Sequence, residues 1–118
     1  MFNGSGPKNR ITYEQMDSIY TQMLLWLKGK ISPSDAASIA HEDGGANFNS
    51  AKNTILNIQD MLVGNIYKYQ CGYEHTKFNV DKLIKDYPDK RENIIKSLKL
   101  YQEKNPNQKI IAYIKTLE

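Results

Sequence analysis

Two short runs in this chain gather side chains capable of chemistry: His41-Glu42-Asp43, and Cys71 followed by His75. In the first, no second histidine stands four residues beyond His41, so the helical zinc-protease pattern is not met. The second has a spacing that two metal ligands can share. Structural zinc takes four ligands and catalytic zinc three plus a water, whereas the whole chain holds 2 histidines and 1 cysteine. Cys71 would act as a nucleophile only with a histidine folded into hydrogen-bond reach; otherwise it reads as a small, partly buried apolar residue. Neither a phosphate-cradling glycine loop nor a dinucleotide fingerprint is present, and the carboxylates are scattered. The expectation is a protein that is not an enzyme, with no metal and no cofactor, and that works by binding.

The groups best suited to binding are amides. Asn47, Asn49, Asn53 and Asn57 fall within one short stretch, with Ser50, Lys52 and Thr54 among them. Asparagine pairs bidentately with adenine in the major groove, hydroxyls bond either bases or phosphates, and Lys52 can reach a phosphate. A helix starting here would also present free N–H groups to an anion. Against this, Lys52 is the one cation between Gly44 and Gly64 and is opposed by Asp60, while phosphate neutralisation normally dominates DNA affinity. A second candidate is Tyr67-Lys68-Tyr69-Gln70-Cys71-Gly72-Tyr73, where aromatics alternate with a cation, as in single-strand binders that stack bases. Tyrosines that cover a core edge and wet their hydroxyls give the same pattern.

Composition bounds the frame for these residues. A chain of 118 residues fits one domain and can bury enough surface to need no metal or disulfide. The single Cys71 excludes an internal disulfide and fits a reducing compartment. No apolar run reaches the roughly 20 residues of a membrane span, and Met1–Arg10 lacks the apolar core of a secretory signal. The cytosol is the expected location. Asn3, Gly4, Ser5, Gly6 and Pro7 mark residues 1–10 as a flexible tail, leaving 11–118 as a single helical domain. Leu117-Glu118 reads either as native sequence or as the remnant of a cloning site. Residues 1–60 hold 5 Lys/Arg against 6 Asp/Glu, and residues 61–118 hold 11 against 7. The second half is mildly basic, consistent with an anionic partner or with a solvated lysine-rich surface.

Periodicity assigns the elements. Met16, Ile19, Tyr20, Met23, Leu24 and Leu27 fall on one helical stripe, with Thr12 and Gln15 spaced for a capping box and Gly29 at the far end. Ser32-Pro33 is a helix start; this helix runs through Ala36, Ala37, Ile39 and Ala40 to Gly44-Gly45. A third helix is expected from Asn49 or Ser50 to Val63, with Ala51, Ile55, Ile58 and Leu62 inward. Ile66 to Tyr73 reads as an extended connector or a short strand. Further helices are predicted to end before Pro88, to start again at Asp89 as cap, to break at Asn105-Pro106, and to resume with Ile110, Ile111, Ile114 and Leu117. The class is all-α: a compact bundle of five to six helices. Its second and third members outline a helix-turn-helix, in which small residues let the first cross the second and the second enters the groove. The turn His41–Phe48 is longer than that motif normally allows.

The runs Ile31-Ser32-Pro33-Ser34-Asp35-Ala36-Ala37, Gly44-Gly45-Ala46-Asn47, Asn49-Ser50-Ala51-Lys52 and Met61-Leu62-Val63-Gly64-Asn65-Ile66-Tyr67-Lys68 resemble a poorly characterised bacterial helical domain found N-terminal to predicted HNH-type endonucleases and restriction-like proteins. The similarity extends through Lys85-Asp86-Tyr87 and Leu98 to Tyr101. It implies an accessory domain that helps a nuclease recognise duplex DNA, with Asn47, Asn49, Ser50, Lys52 and Lys68 as the matching polar positions. The HNH metal site would lie elsewhere, since no histidine-rich cluster is present here.

Two classes of function follow. One is DNA recognition through the third helix, with Asn53 and Asn57 added to the matching positions. The other is docking of a protein partner, a nuclease domain or a second copy, through an apolar patch at Leu25, Trp26 or the last helix; a small regulator or inhibitor belongs to the same class. Exposure of the third helix's polar face discriminates them.

Overall fold

The computed structural model describes residues 11–118, and the expected tail at residues 1–10 lies outside the described residues. Six helices follow one another: α1 (Tyr13–Leu27), α2 (Pro33–Gly44), α3 (Phe48–Leu62), α4 (Tyr73–Asp86), α5 (Arg91–Lys104) and α6 (Gln108–Leu117). The all-α expectation holds, and no strand occurs among the described residues. The connector from Ile66 to Gly72, for which a short strand was an option, is irregular. No described helix is long and apolar enough to cross a membrane.

Local signals set most boundaries. Thr12 and Gln15 exchange both bonds of the capping box at the start of α1, satisfying two of the N–H groups that a helix start leaves free. Ser32 caps α2 through the Asp35 N–H, with Pro33 at the first helical position. α3 starts at Phe48, one or two residues before the expected Asn49 or Ser50, because the Asn47 side chain accepts from the Ser50 N–H and caps the helix there. Asp89 does not cap α5. It sits inside a short 3-10 turn, Pro88–Lys90, that leads directly into Arg91.

The core is one connected cluster drawing on every helix, including Ile19 and Met23, Ala36 and Ala40, Ile55 and Ile58, Val80 and Leu83, Ile94 and Leu98, and Ile110 and Ile114. α2 packs on both α1 and α3, α3 packs on α5, and α4 is held by α1, α5 and α6. Ala36, Ala37 and Ala40 are fully buried, so the small-residue face of α2 lets its neighbours approach closely. Gly44 shows how closely: a Cβ placed there would sit 2.2 Å from the Ser18 Oγ of α1.

Candidate functional site

The turn between α2 and α3 is shorter than its sequence implies. α2 continues through His41, Glu42 and Asp43 to Gly44, so only Gly45, Ala46 and Asn47 separate the helices. Gly45 adopts φ +76°, a left-handed conformation that glycine enters without penalty. Two side chains fix the reversal. Gln15 Nε2 donates to the Gly45 carbonyl at 3.0 Å, and His41 Nδ1 lies 2.8 Å from the Ala46 carbonyl oxygen. His41 is thereby accounted for as a turn-fixing residue.

With the entry to α3 fixed, its apolar side is directed inward: Ala51, Ile55, Ile58 and Met61 are buried. The opposite arc carries Asn49, Lys52, Asn53, Leu56, Gln59 and Asp60. Asn49 and Gln59 are exposed and the others half-buried. Asn47 and Ser50 are exposed at the start of the helix, with the Asn47 oxygen engaged in the cap. Lys68 is exposed on the connector.

Asn57 departs from the expected role. It is 4% exposed, and its side chain grips the connector from both ends of the amide. Nδ2 donates to the Tyr69 carbonyl at 2.8 Å, and Oδ1 accepts from the Tyr69 N–H at 3.1 Å. A buried amide bonded in this way is satisfied and shielded, so Asn57 serves the fold and is removed from the DNA-facing set. The end of α3 and the turn before the connector are pinned to α5, where Asn93 Nδ2 donates to the Leu62 carbonyl and Ser97 Oγ to that of Asn65.

The tyrosines of the connector divide between two roles. Tyr67 is buried and stacks on Tyr101 with ring centroids 4.2 Å apart, and desolvation pushes its hydroxyl well above the ordinary tyrosine range. Tyr69, at 37% exposure, remains available. Tyr73 meets Tyr113 edge-to-face.

Between the start of α3 and the start of α4 lies a cleft of about 570 Å³, within the size range of small-ligand sites. Ser50, Asn53 and Thr54 line it from α3, Tyr69 and Cys71 from the connector, and Tyr73, Glu74 and His75 from α4; Lys109 reaches it from α6. Cys71 and His75 both line this cleft. No group of three or more metal-ligating side chains occurs among the described residues. Burial pushes the Cys71 thiol up, away from the thiolate form a nucleophile requires. Desolvation lowers the His75 imidazole to about 4, leaving it neutral at physiological pH. Sequence reasoning placed neither Lys109 nor Glu74 here, because nothing in their local sequence reports which helix ends converge.

Among the described residues, the exposed large apolar ones are Tyr13, Val63 and Tyr69. Leu25 and Trp26, expected as a docking patch, are half-buried, and Trp26 packs against the core. Comparison with protein families, curated proteins and solved structures finds no match to this chain.

Proposed function

We propose that this chain is a non-catalytic module for recognising duplex DNA, with α2 and α3 acting as a helix-turn-helix and α3 as the helix that enters the major groove. The observation that carries this reading is the outward arc of α3, where Asn49, Lys52, Asn53 and Leu56 stand in successive turns away from the core. Asparagine amides there have the donor–acceptor pair that adenine presents, and a leucine can meet a thymine methyl. The three-residue turn at Gly45 supports the same assignment, since short glycine-containing turns join the two helices of this motif. Lys52 supplies the phosphate contact on α3, and Lys68 extends the basic surface along the connector.

One cation on the recognition helix makes for modest affinity, because the salt-sensitive phosphate term is small. Such a module fits an accessory role, delivering DNA to a nuclease domain that carries the metal site. Fluorescence anisotropy with labelled duplex and single-stranded DNA at two salt concentrations tests it. The reading predicts binding on the order of 1–100 µM at low salt, preference for duplex, and weakening as salt rises. Absence of binding at low salt would reject it.

The rival reading, docking of a partner protein, draws on Val63. It is 61% exposed at the C-terminal end of the same arc, beyond Leu56. Loss of partner capture on Val63→Ser with unchanged DNA binding would favour that use of the helix.

A further inference from the structure

The cleft beside α3 has the features of a ligand site in its own right. The first of them is the N-terminus of α4. Gly72 is its N-cap and no side chain caps the helix, so the N–H groups at the start of this 14-residue helix lack the side-chain acceptor that α1, α2, α3 and α6 all have. Free N–H groups together with the helix dipole favour an anion. Gly72, Tyr73, Glu74 and His75 all line the cleft.

The second feature is independent of the helix end. His75 is 6% exposed, lines the cleft, and its buried Nε2 has no hydrogen-bond partner in the protein. Buried polar groups in folded proteins are nearly always paired, so the Nε2 of this cleft-lining residue lacks a hydrogen-bond partner, which the protein itself does not supply. The remaining walls add complementary chemistry: the Lys109 ammonium, the Ser50 hydroxyl, the Asn53 amide, and the rings of Tyr69 and Tyr73.

From these we infer that the cleft binds a nucleoside monophosphate. The phosphate would be held by the uncapped start of α4 and Lys109, and the base would lie against a tyrosine ring. His75 and Asn53 would supply hydrogen bonds to the base or sugar. Its neutral ring lets His75 donate from one nitrogen and accept at the other. Glu74 opposes the anion; its carboxylate accepts from the Tyr13 hydroxyl at 3.2 Å, and it weakens the site by like-charge repulsion. This site does not depend on duplex recognition by α3, because the ligand is a free mononucleotide.

The test is a titration of the intact chain with adenosine and guanosine monophosphates, the matching nucleosides, and inorganic phosphate, followed by backbone amide and histidine ring NMR shifts. The site predicts saturable shifts at residues 72–75 and in the His75 ring, with each monophosphate binding at least about tenfold more tightly than its nucleoside or phosphate alone. Lys109→Gln should weaken nucleotide binding by about tenfold, and Glu74→Gln should tighten it, both leaving the fold unchanged. Lack of saturable shifts at residues 72–75 with either nucleotide would overturn the inference, as would shifts indifferent to both Lys109→Gln and Glu74→Gln. Ser50 and Asn53 border both surfaces, so the two proposals are separated by the residues that they do not share: shifts at residues 72–75 report the cleft, and those at Asn49, Lys52 and Leu56 report duplex binding.

Discussion

Asn57 of α3 and Tyr69 of the connector are joined by two hydrogen bonds, one in each direction between the buried amide and the Tyr69 backbone. This pair holds the connector against α3 and sets the distance between the start of α3 and the start of α4. Asn57→Ala removes both bonds and leaves a backbone N–H and carbonyl of the connector without their partner. We expect a loss of about 2–3 kcal/mol in stability by urea denaturation. The folded fraction should retain its affinity for duplex DNA, since Asn57 does not face solvent. Stability within about 0.5 kcal/mol of wild type would contradict the role assigned to the pair.

Gly44 and Ser18 make a second pair with a clear test. A methyl group on Gly44 meets both the Oγ and the Cβ of Ser18 inside ordinary contact distance. Gly44→Ala should therefore cost about 1–3 kcal/mol through overpacking. Ser18→Gly removes both obstructing atoms, so the double variant should recover most of that loss beyond simple additivity. Additive losses in the denaturation cycle would mean that the α1–α2 contact is looser than described.

The buried His75 makes stability depend on pH in a defined direction. Its folded pKa is lowered to about 4 from 6.5, so the unfolded chain takes up a proton in a range where the folded chain does not. Stability is then full above about pH 6.5 and falls as pH drops toward 4, by roughly 3 kcal/mol in all. Other groups titrate in that window, and comparison of wild type with His75→Gln isolates this contribution. The unfolding free energy of wild type minus that of His75→Gln should decrease as pH falls from 7 to 4; a constant difference would show that the imidazole is not desolvated.

On α3, Asn49→Ala and Asn53→Ala should each lower affinity for a preferred duplex by about 1–3 kcal/mol and relax base preference. Lys52→Gln should weaken all duplexes alike and reduce the salt slope by about one unit. Anisotropy measured over a series of salt concentrations distinguishes the two patterns.

What was legible beforehand follows from what local chemistry can encode. Thr12 with Gln15, and Ser32 with Pro33, are self-contained signals, and both helices start where these residues say. The inward stripe of α3 was readable because periodicity alone separates Ala51, Ile55 and Ile58 from the polar arc. The same periodicity could not assign Asn57. It lies at the boundary of the two faces, and its burial depends on a connector twelve residues away. The turn at Gly45 was misjudged in length because His41-Glu42-Asp43 look like loop residues, yet the last turn of α2 absorbs them. The convergence of Lys109 with His75 in the cleft is a tertiary fact, set by how α6 docks on α4, and no local pattern near residue 109 reports it.

The most direct test of the recognition reading is to map amide NMR shifts of the chain as a duplex oligonucleotide is added at low salt. If α3 enters the groove, the largest changes will fall on Asn49, Ser50, Lys52, Asn53 and Leu56, and they will disappear as salt is raised. Shifts confined to α5 and α6, or none at all at saturating duplex, would contradict the assignment of α3 as a DNA-reading helix.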